Sequence, residues 1–252
     1  MVFSSSMFYA GLRARKRKKE CFFMSGICKR FAEVQRNLRE LLPLASARGG
    51  VCNIIGGTDV SYFSSSRGET FALGGLVLFS YPALELIHQA FAILPVKVPY
   101  IPGYLSFREI PVLLEAFEKL KLLPDLWLVD GAGIAHPRSF GLACHFGLLT
   151  GIPSVGVAKS RLIGTKDLPG PLKGDRVPLR GNDGSVLGMV VRSRREVRPL
   201  YISVGWGISL RDAVSLVLSC CTKYRLPEPT RWAHKLCAER KKRCKEERDC
   251  DY

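Results

Sequence analysis

The chain has 252 residues, 47% hydrophobic and 10% aromatic, enough to pack the core of one large α/β domain or two small ones. Its 38 basic and 22 acidic side chains leave a formal charge of +16, which favours a polyanionic partner, nucleic acid ahead of an anionic membrane surface. No apolar run reaches the roughly 18 residues of a membrane-spanning helix, and the nine cysteines show neither a CxxC pair nor a histidine spacing suited to zinc.

The excess charge is uneven. The first 50 residues hold eleven basic and three acidic side chains, half of the net charge, and include the run "RARKRKK" from Arg13 to Lys19. A second cluster, "ERKKRCKEER", lies at the other end. Both read as solvated tails, with a nuclear address or a sequence-blind nucleic-acid arm as the alternative. The N-terminus lacks a signal peptide's order of charge, apolar stretch and small-residue cleavage site, so a cytoplasmic protein with reduced cysteines is expected, or a nuclear one in a eukaryote. The expected division is a basic extension over residues 1–30, a folded domain over 31–236 and a charged tail over 237–252.

In chain order, "FAEVQRNLRELL" (Phe31 to Leu42) has helical spacing. From Asn53 the pattern changes to three strands, "NIIGGTDVSYF", "TFALGGLVLFS" and "LELIHQAFAIL", joined by short turn-rich connections that favour an antiparallel meander. "SFREIPVLLEAFEKLK" predicts a helix; "DLWLVD" a strand; "RSFGLACHFGLLTG" a helix; "PSVGVAK" a strand. Strand, helix and strand at that length imply parallel pairing through a right-handed crossover. Gly164 to Gly184 reads as irregular, followed by the strands "SVLGMVVRS" and "PLYISVG" and the helix "SLRDAVSLVLSCCTKY". Three antiparallel strands followed by parallel strands, flanked by helices, are the order of the ribonuclease H-like α/β mixed sheet.

Three acids stand out by position. Asp59 lies inside the near-apolar first strand, and Asp130 ends the fourth, where ligands bind in a parallel-containing sheet. A plain turn opener is the competing reading of Asp130, since Gly-Ala-Gly follows it. If those strands are neighbours, two carboxylates about 4 Å apart repel strongly and would share a proton or bind a cation. Hard oxygen donors suit Mg²⁺. Glu109 is the third acid, three residues after Ser106, a spacing that also fits a helix capping box. Lys159 ends the strand "VGVAK", as a solvated boundary or as a phosphate holder beside the acids. His88 and His145 read as packed or surface residues.

Four blocks, "GGTDVSYF", "PYIPGYLSFRE", "PDLWLVDGAGIAHPRSFGLACHFGLLTGIPSVGVAKSRL" and "YRLPEPTRWA", run in order from Gly56 to Ala233 and resemble the endonuclease V family. The resemblance implies a metal-dependent ribonuclease H-like endonuclease that cuts DNA or RNA at the second phosphodiester 3′ to deoxyinosine or inosine, a DNA-repair chemistry. It implies that Asp59, Glu109 and Asp130 hold Mg²⁺, with Mn²⁺ able to substitute, and that Lys159 stands near the scissile phosphate. Pro99, Tyr100, Ile101 and Pro102 match a wedge that fills the gap left by the extruded base. Gly103, Leu105, Gly131, His136 and Leu162 match the substrate-binding positions. The partners it implies are inosine-containing DNA or single-stranded RNA, bound by a monomer without a membrane.

One position departs from the family. Where relatives usually carry Gly-His-Arg, this chain reads "SVGWGISL", with Trp206 and Gly207. An indole has only a donor to offer. If that histidine orients the water or the metal, a loss of about 10²- to 10⁴-fold is expected, and an inosine-strand binding protein with impaired cleavage is the alternative. An unrelated α/β enzyme acting on a phosphorylated small molecule is a further rival, and it predicts no salt-sensitive affinity for nucleic acid.

Overall fold

Branched and aromatic residues draw Ile54–Ser64 (β1), Thr70–Ser80 (β2) and Leu86–Pro95 (β3) into the expected antiparallel meander. This is a computed structural model, and it describes residues 25–42 and 52–249, the side chains of 245–249 excepted. A helix over residues 25–40 (α1) precedes the meander. After it come Leu105–Phe117 (α2), Leu126–Val129 (β4), Leu142–Thr150 (α3) and Ser154–Ala158 (β5). Arg176–Arg180 (β6), Val186–Val191 (β7), Leu200–Trp206 (β8), Leu210–Ser219 (α4) and Glu228–Asp249 (α5) complete the chain.

The eight strands form one sheet in the order β3-β2-β1-β4-β5-β8-β7-β6. Parallel pairing is confined to its centre, β1 with β4 and β4 with β5. The remaining three strands return antiparallel, so the sheet is mixed in both halves. β6 falls in the stretch expected to be irregular, and that expectation is corrected. Only Leu179 of β6 is buried, and Pro178 sits in a strand bonded on one side alone, the position where proline is tolerated.

Helices cover both faces. Ile55, Leu126 and Leu128 face α4 with Ala213, Val214 and Val217, whereas Trp127 and Val129 face α2 and α3 with Leu113 and Phe146. Two glycines mark how closely the layers press on β1. A Cβ on Gly56 would meet the Trp127 ring at 2.1 Å, and one on Gly57 the Pro229 backbone of α5 at 2.3 Å. Neither position has room for a side chain.

The segment boundaries expected at residues 30 and 237 both fall inside helices, α1 and α5. Cys237 is fully buried against β1 and β2, with its thiol donating to the Asp59 carbonyl at 3.6 Å. The cluster "ERKKRCKEER" therefore lies on α5, while Arg13 to Lys19 lies outside the described residues. Among the described residues no helix is long and apolar enough to cross a membrane.

Candidate active site

Register brings the two aspartates together. Thr58 of β1 pairs with Val129 of β4, so Asp59 and Asp130 take the next rung of two parallel strands and project from the same face. That face carries α5, because Gly57, two residues before Asp59, meets Pro229. Asp59 is buried, and its carboxylate meets His234 of α5, Nδ1 to Oδ2 at 3.3 Å. Asp130 receives the ammonium of Lys159, which follows the end of β5. The lysine thus lies beside an acid rather than on an open boundary.

Glu109 approaches from α2 and is also buried. The capping box it was expected to share with Ser106 does not form. The helix starts two residues too early: Tyr104 is its N-cap, without a side-chain bond, so Ser106 lies inside it, and the buried Ser106 hydroxyl finds no partner. Glu109 instead accepts a hydrogen bond from the Tyr62 hydroxyl at 3.0 Å.

The three acids sit where ionisation is costly. Burial pushes the Asp59 carboxyl above its ordinary range, and the charge of Asp130 adds to this, while His234 and Lys159 oppose it. Glu109 is pushed up to about 8, by burial first and then by the fields of Asp59 and Asp130, against the opposing pull of the Tyr62 bond and of Arg108. Among the described residues no three ligating groups are already arranged as a metal cage. Asp59, Asp130 and Glu109 are each held by a neighbour instead. The donor set is nonetheless hard oxygen in a partly dry cleft, with like charges that a divalent cation would relieve, and it fits such an ion.

The other expected residues separate into two places. Pro99 to Pro102 form an exposed turn, with the Tyr100 side chain 67% exposed, and Tyr104 N–H closes on Ile101 O at 3.0 Å. Gly103 follows with φ +79°, a conformation that favours glycine. Leu105 begins α2, and His136 reaches this segment by contacting the Gly103 carbonyl at 3.1 Å. Burial pushes His136 down to about 4, so its ring is neutral and donates through Nε2. Gly131 directly follows Asp130, and Leu162 is an exposed side chain three residues past Lys159.

Sequence reasoning missed His234, which no spacing links to Asp59 across 175 positions. It also missed Arg225, whose guanidinium donates to the Lys159 carbonyl at 2.6 Å and to Pro199 O at 2.8 Å, tying the end of β5 to the start of β8. The expected loss at Trp206 depends on that position lying beside the water or the metal, and the register sets it away from the carboxylates. β8 runs antiparallel to β5, so Trp206 pairs with Ser154 at the start of β5, whereas Lys159 lies beyond its end. That separation is about 16 Å along an extended chain. The imidazole beside the carboxylates comes from α5.

The sequence model described as Endonuclease V matches residues 36–235. A curated relative, Endonuclease V of Rippkaea orientalis, is 44% identical over 207 residues, covering 82% of this chain and 88% of its own. The catalytic domain of human Endonuclease V superposes with a TM-score of 0.78 at 34% identity, over 87% of this chain and 97% of that one. Endonuclease V of Ciona intestinalis, solved with a 24mer DNA containing an inosine followed by a ribo-adenosine, gives a TM-score of 0.75 at 26% identity, over 87% and 99% of the two chains. With the ribonuclease H-like order of its sheet and this coverage, the chain belongs to the endonuclease V family.

Proposed function

We propose that this nuclease, a hydrolase of phosphodiester bonds by its family, cuts nucleic acid strands at the second phosphodiester 3′ to inosine or deoxyinosine. The observation that carries the reading is the register that sets Asp59 and Asp130 side by side just past the Thr58–Val129 pair, with Lys159 on Asp130 and His234 on Asp59. The inosine-containing DNA bound by the Ciona relative supports the substrate. A formal charge of +16 suits a phosphate backbone.

Asp59, Asp130 and Glu109 would hold Mg²⁺, with Mn²⁺ as a substitute. When bound, the cation would supply Lewis-acid stabilisation of the charge growing on the leaving 3′-oxygen. Water attacks phosphorus in line, the bond from phosphorus to the 3′-oxygen breaks, and the products carry a 3′-hydroxyl and a 5′-phosphate. His234 is half-exposed and aligned by Asp59, so it can take the proton of the attacking water. Lys159 stands ready to leave Asp130 for a phosphate oxygen.

The turn from Pro99 to Pro102 serves as the wedge: two prolines stiffen it, and Tyr100 offers a face for stacking. Gly103, Leu105, Gly131, His136 and Leu162 line the place for the extruded base. Hypoxanthine pairs weakly, so its extrusion costs less than that of an ordinary base. The register of β8, which sets Trp206 away from the carboxylates, supports unimpaired cleavage.

The test is incubation of the full chain with matched inosine-containing RNA and DNA strands and Mg²⁺. A product ending at the second 3′ bond, absent with Asp130→Ala or a chelator, is the expected result. Cutting that ignores inosine, or that survives Asp130→Ala, would sink the reading.

A further inference from the structure

A single carbonyl behind the wedge collects three side-chain donors. Gly103 O accepts from Gln35 Nε2 at 3.3 Å, from His136 Nε2 at 3.1 Å and from Arg138 Nη2. A carbonyl has two lone pairs, so this one is held more firmly than a turn requires. Gln35 lies on α1, is 1% exposed, and satisfies both halves of its amide. Its Nε2 also donates to Phe140 O at 3.2 Å, and its Oε1 accepts from Arg138 Nε. Two acceptors on one side and a donor on the other leave only one orientation of the amide.

The same contacts reach the start of α2. The Arg138 guanidinium lies over the Tyr104 ring at 4.1 Å, and Phe31 of α1 stacks on Phe107 at 4.0 Å. Gly103 itself is pressed: a Cβ there would meet Arg138 Nη2 at 2.9 Å. An exposed tip at Tyr100 therefore stands on a hydrogen-bonded base in which Gln35 and His136 are buried. Gln35 bonds to none of the carboxylates, and it lies one residue before the segment matched by the family.

We propose that Gln35 is a positioning residue for lesion recognition: through Arg138 and the Gly103 carbonyl, α1 sets the wedge and the adjoining base pocket before the strand arrives. The proposal rests on the inosine reading of the same site. Preorganisation of this kind raises affinity by removing an ordering cost on binding. Its loss is felt in selectivity more than in the chemical step. Leucine at 35 keeps most of the volume and removes every hydrogen bond; glutamate keeps an acceptor for Arg138 and loses both donors.

The experiment uses the full chain with a strand carrying 2-aminopurine beside inosine, and an adenosine strand as reference. Binding and base extrusion are followed by fluorescence without divalent metal, and KM and kcat are then measured with Mg²⁺. For Gln35→Leu the expected result is at least a tenfold fall in inosine-over-adenosine affinity and a weaker extrusion signal, with KM rising more than kcat falls. Gln35→Glu should recover part of the selectivity, and it is read in the same way if Gln35→Leu does not fold. A folded variant with unchanged selectivity and extrusion overturns the proposal, as does a lowered melting temperature with selectivity intact. A wild-type chain that shows no inosine preference defeats the functional reading itself, a result distinct from either.

Discussion

Around Asp59 and Asp130 the chain gathers like charges and leaves them partly compensated, whereas around Gly103 it gathers donors until the carbonyl has more than it can use. The first region is electrostatically unfinished: Lys159, His234 and Tyr62 hold the acids, and each would have to release its acid for a cation to bind there. The second is complete in the free protein. Chemistry needs groups that can exchange partners, and recognition of a shape needs groups that do not.

The sharpest way to break this contrast is Asp130→Ala. It removes one of the two paired aspartates and should lower single-turnover cutting about 10³-fold or more, while strand binding in a mobility assay persists. Equal loss of binding and cutting would mean that both regions work as one. Next in size is His234→Ala, with an expected fall of about 10²- to 10⁴-fold in kcat and little change in KM. A change confined to KM would place His234 with the recognition residues.

The unfinished region should also show in stability. Glu109 is raised to about 8 when folded, from an ordinary 4.5, so its contribution is fully present below the unfolded value and is lost as pH rises through the folded one. Metal-free protein should therefore melt at progressively lower temperature between about pH 4.5 and 8, by roughly 2–4 °C for each kcal/mol involved. Glu109→Gln should flatten that slope in calorimetry, and Mg²⁺ should oppose it in the wild type. A slope of the same size in the variant would assign the effect to other groups.

The smallest effect is expected at residue 206, where Trp206→His should leave the cutting rate within about twofold, since the new ring would lie far from the carboxylates. A gain of tenfold would contradict the register of β8. Adding Gly207→Arg should only cost stability, about 1–2 kcal/mol, because Gly207 sits at φ +64°. Thermal melting of the double variant reads this directly.

Much of this was legible because the signals are local. The strand β2 spans the same residues that its branched and aromatic content predicts, and Asp130 is marked by ending a buried apolar run. β6 was hidden because an edge strand with one buried side chain has almost no hydrophobic pattern. α5 was hidden for a related reason: it is rich in charge, and it packs through a few residues such as Ala233 and Cys237 rather than along a continuous apolar stripe. His234 and Gln35 carry no local signature at all, since their partners lie 175 and 68 or more positions away and only the fold joins them. The error at Trp206 came from treating a sequence motif as a place, when the direction of one strand decides at which end of the sheet it lies.

The pairing of β1 with β4 has one more consequence. The two aspartates are contributed by stretches of chain separated by 70 residues, and they come side by side only through the parallel pairing that ends at Thr58 and Val129, a non-local contact. An unfolded copy thus has no assembled reactive centre, because neither strand alone carries both acids.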